Sequence, residues 1–187
     1  HGASMELLPA ASQDGRPPVH LAPLAAELGA EVDGRTPFDP GELLATLRGE
    51  LPLPQATPPA GLTDVLRDYQ TAGFECPELL GSHGLGAVLA DDMGLGKTIQ
   101  TLASLAVSAR SGPVLVVAPT SVLSNWKREA ARFVPSLRCA IFHGTKRRAR
   151  LAALAAGELD VVITSYGILR MDLASLAEVD WRCVVLD

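Results

Sequence analysis

The chain contains few cysteines and few aromatic residues, and it has no long apolar run. Its three cysteines, Cys76, Cys139 and Cys183, share no spacing typical of a metal or redox site, so we interpret them as reduced thiols of a cytosolic protein. No uninterrupted apolar stretch approaches the ~18 to 20 residues of a membrane-spanning helix. The N-terminus lacks the charged and apolar regions of a signal peptide. We therefore expect a cytoplasmic protein with no membrane contact.

Charge is modest in total but unevenly distributed. The net charge of −5 argues against a protein that coats nucleic acid by bulk attraction. Between Thr120 and Arg150, however, eight Lys and Arg residues stand against one acid, Glu129, whereas residues 1–69 hold ten acids and four arginines. This asymmetry is compatible with a local basic surface for nucleic acid and also with an ordinary solvated helix face. Thirteen arginines against three lysines, with abundant alanine, indicate a GC-rich bacterial genome.

A length of 187 residues allows one ordinary domain and some additional chain. Short apolar clusters at 21–28 and 43–47 predict two short helices near the N-terminus. The proline-rich stretch PLPQATPPAG cannot continue a helix and indicates an extended linker. We predict four segments: an expression scar (1–4), a helical lead-in (5–51), the linker (52–61) and an α/β domain (62–187).

After the linker, short apolar runs alternate with helical patterns, which predicts a parallel sheet with crossover helices. The runs are apolar on both pleat faces, as expected for strands buried between two helical layers. The predicted strands are Ala87–Ala90, Val114–Ala118, Cys139–Phe142, Val161–Thr164 and Cys183–Leu186. The predicted helices lie near Lys97–Ala109, Ser121–Phe133, Lys146–Ala156 and Tyr166–Ala177. Ligands of such sheets bind beyond the carboxyl ends of the strands.

The run LADDMGLGKTIQ carries the clearest chemical signal. Gly94, Gly96, Lys97 and Thr98 form the end of a P-loop, whose backbone N–H groups and following helix start bind phosphate. The lysine would neutralise the β/γ oxygens, and the threonine hydroxyl would bind Mg²⁺. The glycines are required because the turn needs positive φ and close backbone approach. The strict P-loop pattern fails at Asp91, which stands where its first glycine should be.

The chain ends with a second signal of the same chemistry. Asp187 follows the apolar run CVVL, and a hydrophobic strand that ends in Asp is the Walker B arrangement. Its carboxylate is expected to hold Mg²⁺ through water. The residue that would follow, which normally polarises the attacking water, lies beyond the 187 residues.

Five segments resemble one family in the same order. Together they resemble the first RecA-like lobe of a Swi/Snf-type ATPase, a branch of helicase superfamily two, in a bacterial member. The resemblance implies an α/β fold with a P-loop and a RecA-like parallel sheet sandwiched by helices, incomplete because only the first lobe is present. The segments are LRDYQ (66–70), LADDMGLGKTIQ (89–100), VLVVAPTSVLSNWKREAARF (114–133), FHG with DVVITSYGILR (142–144, 160–170) and VVLD (184–187).

The resemblance implies ATP and Mg²⁺ as cofactors and assigns residues to them. Lys97 and Asp187 match catalytic positions, and Thr98 with Asp187 match the metal site. Gln70 matches a glutamine that hydrogen-bonds the adenine edge, since an amide can both donate and accept there. The ATP-binding set implied by the resemblance is Arg67, Gln70, Asp91, Asp92, Met93, Gly94, Leu95, Gly96, Lys97 and Thr98.

The resemblance also implies contacts to double-stranded DNA. Hydroxyls and backbone N–H groups at the start of a helix bind phosphates without reading bases. Trp126 could stack on DNA, but its helical spacing with Leu123 and Ala130 favours a core position. The basic run 146–150 could extend the phosphate contacts or be a solvated face. The implied DNA contacts are Thr120, Ser121, Asn125, Lys127, Gly144, Thr164, Ser165 and Tyr166.

The function implied by the resemblance is a DNA-dependent ATPase that translocates on duplex DNA and remodels protein–DNA complexes. Its partners would be DNA and a DNA-bound protein such as RNA polymerase, in the bacterial nucleoid. The 187 residues lack the second lobe with its arginines, so we expect them to be inactive alone. Two alternatives remain open: a nucleotide-binding module without motor activity, and an RNA-directed helicase of the same superfamily.

Overall fold

The structure is a computed structural model that describes residues 45–46, 50–51, 57–59, 61–82, 86–92 and 94–187. The chain divides into two compact units. Unit 1 comprises His1–Thr57 and Arg67–Lys97, and unit 2 comprises Pro58–Leu66 and Thr98–Asp187. The helix predicted at 21–28 and most of the linker lie outside the described residues. Within the helix predicted at 43–47, Ala45 and Thr46 are helical.

Helix α1 (Asp68–Ser82) is the longest element among the described residues of unit 1. It begins at a capping arrangement in which the Gln70 side-chain oxygen accepts a hydrogen bond from the Arg67 backbone N–H over 3.0 Å. This contact satisfies a backbone N–H donor that the start of a helix leaves unpaired. This contact therefore defines where α1 starts.

The strand predicted at Ala87–Ala90 is not formed, since only Leu89 makes a single β-bridge. The reason is visible in the burial of the segment: Ala87 is exposed and the Val88 side chain is 50% exposed. Strand formation depends on packing against neighbouring side chains, and alanine contributes little to it. The prediction of a strand directly before the P-loop is therefore wrong for this structure.

Unit 2 is built on a parallel four-stranded sheet in the order β2-β3-β1-β4. The strands are β1 (Val114–Ala118), β2 (Cys139–Ile141), β3 (Val161–Ser165) and β4 (Cys183–Leu186). In the register, Val116 lies opposite Ile163 on one side and Val185 on the other. The predicted α/β class and the parallel arrangement are confirmed.

The helices of unit 2 connect these strands. They are α2 (Lys97–Ser108, whose first residue belongs to unit 1), α3 (Leu123–Phe133), α4 (Ala149–Ala155), α5 (Tyr166–Met171) and α6 (Leu173–Ala177). A 3₁₀ helix, Thr120–Val122, precedes α3. Residues 145–148 form turns rather than the first turn of α4.

The single helix predicted at Tyr166–Ala177 is wrong, because Asp172 separates two short helices. Asp172 has φ −112° and ψ 24°, outside helical values. Its buried carboxylate accepts a hydrogen bond from the Arg147 guanidinium. Aspartate is a poor residue for a helix interior and a good one for a boundary, so this ion pair fixes the break.

The core of unit 2 covers both faces of the two central strands. Every residue of β1 and β3 is buried. Leu115 and Val117 belong to one apolar cluster, and the alternate residues Val114 and Val116 are fully buried as well. Because successive side chains of a strand point to opposite faces, the sheet is covered on both sides there. That cluster also contains Phe142, Leu154, Val162 and Leu176.

Strand β4 differs, since its side chains alternate between partly buried and exposed. Val184 is 51% exposed and Leu186 is 67% exposed. The prediction that every strand is buried on both faces therefore fails for β4 in the described residues. None of the helices in the described part of the chain is long and apolar enough to cross a membrane.

Candidate functional site

The loop that precedes α2 has the backbone geometry that the P-loop pattern predicts. Gly94 has φ 87° and Gly96 has φ 84°, both in the left-handed region that favours glycine. A Cβ built on Gly94 would meet nothing within 4 Å, so the backbone conformation rather than crowding requires glycine there. The loop leads directly into α2 at Lys97. Met93 lies outside the described residues.

The Lys97 ammonium folds onto the backbone of its own loop. Its Nζ donates to the carbonyl oxygens of Asp91 and Asp92, the second over 3.1 Å. Asp91 is 7% exposed, whereas the Asp92 side chain is exposed. The loop therefore carries a positive charge held by backbone carbonyls at the point where α2 begins.

Two side chains of α1 converge on the carbonyl oxygen of Leu95. Gln70 Nε2 donates to it over 2.9 Å, and the Tyr69 hydroxyl donates over 3.2 Å. Gln70 is buried, and its oxygen is the acceptor for the Arg67 N–H. The glutamine predicted to contact adenine thus also joins the start of α1 to the loop. Tyr69 was not predicted; a tyrosine next to this glutamine carries no distinguishing sequence signal.

In unit 2, Asp187 lies just past β4 at the carboxyl end of the sheet. Its backbone N–H donates to Val117 O over 2.9 Å, which extends the β1–β4 ladder by one residue. One carboxylate oxygen, Oδ2, accepts from the indole Nε1 of Trp126 over 2.8 Å. The backbone carbonyl of Asp187 accepts from the Tyr166 hydroxyl, also over 2.8 Å. The aspartate is therefore held by its backbone and by two aromatic side chains.

Trp126 is a core residue, as its spacing favours. Its side chain is 4% exposed, and Leu123 and Ala130 are buried on the same face of α3. Stacking of this ring on DNA would require it to leave the core. The bond to Asp187 was not predicted. A buried indole N–H needs an acceptor, so the sequence did indicate that Trp126 would have a hydrogen-bond partner.

The junction of β3 and α5 contains three residues predicted to contact DNA, and they differ in exposure. Thr164 is fully buried, and its hydroxyl donates to Phe142 O over 3.1 Å. The buried Ser165 hydroxyl caps α5 by accepting from Ile168 N over 3.4 Å. Tyr166 is 45% exposed. Only Tyr166 presents its side chain to solvent at this junction.

The segment that opens α3 presents several of the other predicted DNA contacts. Thr120, Ser121 and Lys127 are exposed. The Asn125 amide is engaged along the helix, because it donates to Glu129 over 2.8 Å and accepts from Arg128. Gly144 is exposed, with φ 76°.

Three of the eight basic residues between Thr120 and Arg150 are engaged in ion pairs, and one of them, Arg148, lies 4.0 Å from the Asp172 carboxylate. Arg147 pairs with Asp172 and also donates to Gly144 O, so its side chain is not part of a solvated face. The guanidinium lowers the pKa of the Asp172 carboxyl below its ordinary value through their hydrogen bond. Arg138 pairs with Asp160. The basic residues of that segment are Lys127, Arg128, Arg132, Arg138, Lys146, Arg147, Arg148 and Arg150.

A family model for the SNF2-related domain matches residues 36–187. The chain belongs to the SNF2-related domain family. The four-stranded α/β unit described above is consistent with that membership, and so is the order of the five segments that led to the expectation of a Swi/Snf-type lobe.

Other members of the SNF2-related family are similar over most of the chain. An ISWI chromatin-remodeling complex ATPase of Arabidopsis thaliana is 40% identical over 138 residues, which cover 70% of this chain and 13% of that protein. A putative ATP-dependent helicase/translocase of Bacillus subtilis is 41% identical over 140 residues, covering 72% of this chain and 15% of that protein. The chain therefore spans a small part of the length of these relatives.

A solved structure agrees with the fold. The SWI2/SNF2 ATPase core of Sulfolobus solfataricus, in complex with double-stranded DNA, is 40% identical and matches with a TM-score of 0.59. The match covers 65% of this chain and 25% of that chain. The RecA-like α/β fold predicted for this SNF2-related chain is thereby confirmed.

Proposed function

We propose that the chain supplies the ATP-binding lobe of a DNA-dependent ATPase that translocates on double-stranded DNA and remodels protein–DNA complexes. The observation that carries this proposal is the loop 91–96, in which two glycines have positive φ and a lysine opens the following helix. Family membership supports ATP rather than another phosphate compound as its ligand.

The residues of the loop fit a nucleotide polyphosphate with Mg²⁺. Gly94 and Gly96 leave the backbone open, and the first turn of the 12-residue helix α2 presents N–H groups and a positive dipole end. In our proposal the Lys97 ammonium moves from its carbonyl acceptors to the β/γ oxygens. Thr98 and Asp187 would hold the metal, which stabilises charge developing on the γ-phosphoryl group.

The chain's own residues would shape this site in other ways. Gln70 and Tyr69 keep the Leu95 carbonyl in place through their hydrogen bonds, and Gln70 would bind the adenine edge with its remaining donor and acceptor capacity. Arg67, Asp91 and Asp92 complete the proposed nucleotide contacts by resemblance.

For DNA, the exposed residues are the proposed contacts. Thr120, Ser121 and Lys127 would bind phosphates near the start of α3, and Gly144 and Tyr166 would do so at neighbouring positions. The hydroxyls of Thr164 and Ser165 are engaged in the fold, so at the junction of β3 and α5 a phosphate would meet Tyr166 and the main chain. The solved relative from Sulfolobus solfataricus is an ATPase core in complex with double-stranded DNA, which supports duplex DNA as the partner.

The 187 residues alone should hydrolyse ATP very slowly. By resemblance, arginines of a second lobe complete the site, and loss of such an arginine costs ~10³ to 10⁵ in rate. In our proposal, other parts of the full-length protein determine which DNA-bound protein is displaced. RNA polymerase stays a prediction for that displaced protein.

The experiment is an ATPase assay on the full-length protein with duplex DNA, RNA or no nucleic acid. We expect duplex DNA to stimulate hydrolysis more than RNA does, and we expect Lys97→Ala to abolish the stimulated rate. Stimulation by RNA alone would favour an RNA-directed helicase. Nucleotide binding without any stimulated hydrolysis would favour a binding module without motor activity.

A further inference from the structure

The sheet edge after β4 contains an arrangement that family membership does not assign: two aromatic side chains hold Asp187 from different elements. Trp126 donates from α3 to the carboxylate, and Tyr166 donates from the first residue of α5 to the backbone carbonyl. The two residues are 61 and 21 positions from Asp187 in the chain. We propose that Trp126 and Tyr166 are positioning residues for the Asp187 carboxylate, and that they connect its placement to DNA contact. This inference rests on the proposed function.

The Trp126 bond selects which carboxylate oxygen remains available. An indole N–H can only donate, and at 4% exposure Trp126 has little access to water as an alternative acceptor. Its Nε1 is 2.8 Å from Oδ2, so Oδ2 accepts the hydrogen bond from the buried indole. The other oxygen, Oδ1, would be left for a water bound to the proposed metal. A fixed orientation of an acidic ligand is what hydrogen bonds around a metal site provide.

The Tyr166 bond restrains the main chain of the same residue. Asp187 N is tied to Val117 O over 2.9 Å, and Asp187 O is tied to the Tyr166 hydroxyl over 2.8 Å. The backbone N–H and the carbonyl oxygen of Asp187 are therefore both bonded. With the carboxylate held by Trp126, little rotational freedom remains for this side chain.

Both positioning residues lie in segments proposed to contact DNA. Trp126 is flanked in α3 by Asn125 and Lys127, and its ring is on the buried face while Lys127 is exposed. Tyr166 is itself 45% exposed. A phosphate that displaces the Tyr166 hydroxyl or shifts the start of α3 would change the geometry at Asp187 directly. The proposed coupling between DNA contact and the placement of Asp187 thus depends on two hydrogen bonds, those donated by Trp126 and Tyr166.

The second tryptophan provides a matched control. Trp181 also donates its indole N–H, but the acceptor is the backbone carbonyl of Leu176 over 2.7 Å. Trp126→Phe and Trp181→Phe therefore each remove one indole N–H donor and one hydrogen bond. Only the first removes a bond to Asp187.

The first test measures how binding of a fluorescent ADP analogue to the full-length protein depends on Mg²⁺ concentration. We expect Trp126→Phe to raise the Mg²⁺ concentration at half-saturation about tenfold, the lower end for loss of a contact that orients a metal ligand. Affinity in the presence of EDTA should not change, and Trp181→Phe should leave both quantities unchanged. An unchanged midpoint in Trp126→Phe, or an equal shift in both variants, would overturn the inference.

The second test keeps Trp126 and uses its own emission, so it does not depend on the folding of Trp126→Phe. In Trp181→Phe the described part of the chain retains Trp126 as its reporter, and any tryptophan elsewhere in the full-length protein is replaced by Phe. We expect Mg²⁺ with ADP to change the emission, and Asp187→Asn to remove that change. Duplex DNA should also change it, and Tyr166→Phe should remove the DNA response.

The outcomes separate the two proposals. A wild-type protein that binds no nucleotide would remove the proposed function and this inference with it. A wild-type protein that binds nucleotide normally, with Trp126 emission unresponsive to Mg²⁺ and ADP, would overturn the inference and leave the proposed function standing. DNA responses that are the same with and without the Tyr166 hydroxyl would overturn the connection to DNA.

Discussion

At the amino-terminal end of the sheet in unit 2, polar groups bond to one another, whereas at the carboxyl-terminal end they hold a single acidic side chain at the surface. The amino end is formed by Arg138, Asp160, Arg182 and Pro113. There, Asp160 N donates to Arg138 O over 2.9 Å, Arg182 N donates to Pro113 O over 2.8 Å, and the Arg138 guanidinium pairs with the Asp160 carboxylate. These contacts satisfy neighbouring groups and leave few of them for a ligand.

The carboxyl end is formed by Ser165, Tyr166, Trp126 and Asp187, and it uses its hydrogen bonds differently. Trp126 and Tyr166 donate to an exposed aspartate that keeps one carboxylate oxygen available. The difference suggests a division between the two ends: the hydrogen bonds of the amino end stabilise the fold, and the carboxyl end is the proposed ligand-binding end, where ligands of parallel sheets bind. Substitutions at the two ends should therefore separate activity from stability.

The largest effect is expected from Asp187→Asn at the carboxyl end. Asparagine keeps an oxygen for Trp126 but loses the negative charge that would hold the metal. We expect the DNA-stimulated ATPase rate of the full-length protein to fall about 10²- to 10³-fold, because an electrostatic contribution to the transition state is lost. Thermal unfolding monitored by circular dichroism should change little.

The matched control for Asp187→Asn is Asp160→Asn at the amino end. It makes the same chemical change, and its ATPase rate should stay within about twofold of wild type, since Asp160 lies at the opposite end of the sheet from the proposed site. A comparable loss of activity in both variants would show that the two ends do not have separate tasks.

A smaller effect concerns Cys139, the first residue of β2 at the amino end. Burial raises the pKa of its thiol to about 11. The thiolate is the reactive form, so the alkylation rate should keep rising up to about pH 11. At pH 8 the rate should be about tenfold lower than that of a free cysteine. The thiolate fraction alone would lower the rate further, but a more basic thiolate is also a stronger nucleophile. Mass spectrometry of iodoacetamide labelling, with Cys139→Ser to assign the signal, measures this rate. An inflection near pH 8.5 would contradict the account.

The smallest effect is expected from the stability of Asp160→Asn. The hydrogen bond from Arg138 lowers the pKa of the Asp160 carboxyl from 3.8, so the ionised carboxylate stabilises the fold above that value. The contribution is lost as the pH falls through the lowered pKa. At pH 7 we expect Tm to fall by a few degrees at most, because the Arg138 side chain is 53% exposed and water screens the pair.

The pH dependence distinguishes this ion pair from a packing effect. The Tm difference between wild type and Asp160→Asn should begin to shrink below about pH 4, where the carboxylate of the unfolded chain protonates, and should vanish below the lowered pKa of the folded state. A Tm difference that is constant from pH 7 to pH 3 would indicate that the pair does not stabilise the amino end.

The fold of unit 2 could be predicted well from the sequence where local pattern decides the structure. Strands β1 and β4 have the predicted bounds, and β2 and β3 differ from them by one residue. These runs are apolar, flanked by turns, and too short for helices. The failure at Ala87–Ala90 has the opposite cause, since a weak strand former depends on neighbours that a local pattern does not identify.

Side-chain partners that are distant in sequence could not be predicted. Asp172 breaks a helix because its carboxylate accepts a hydrogen bond from Arg147, which lies 25 residues away in the sequence. Asp187 was predicted from the strand before it, but the Trp126 donor lies 61 residues away. In both cases the sequence gives the chemistry of each group, and only the three-dimensional fold determines which groups meet.

The measurement that tests the central claim most directly is isothermal titration calorimetry of the full-length protein with ADP and Mg²⁺. The account predicts saturable binding to wild type and a loss of affinity of at least about tenfold in Lys97→Ala, because the ammonium at the start of α2 would neutralise the phosphate oxygens. No heat of binding in wild type, or the same affinity in both proteins, would contradict the claim that the loop 91–96 and Lys97 bind a nucleotide.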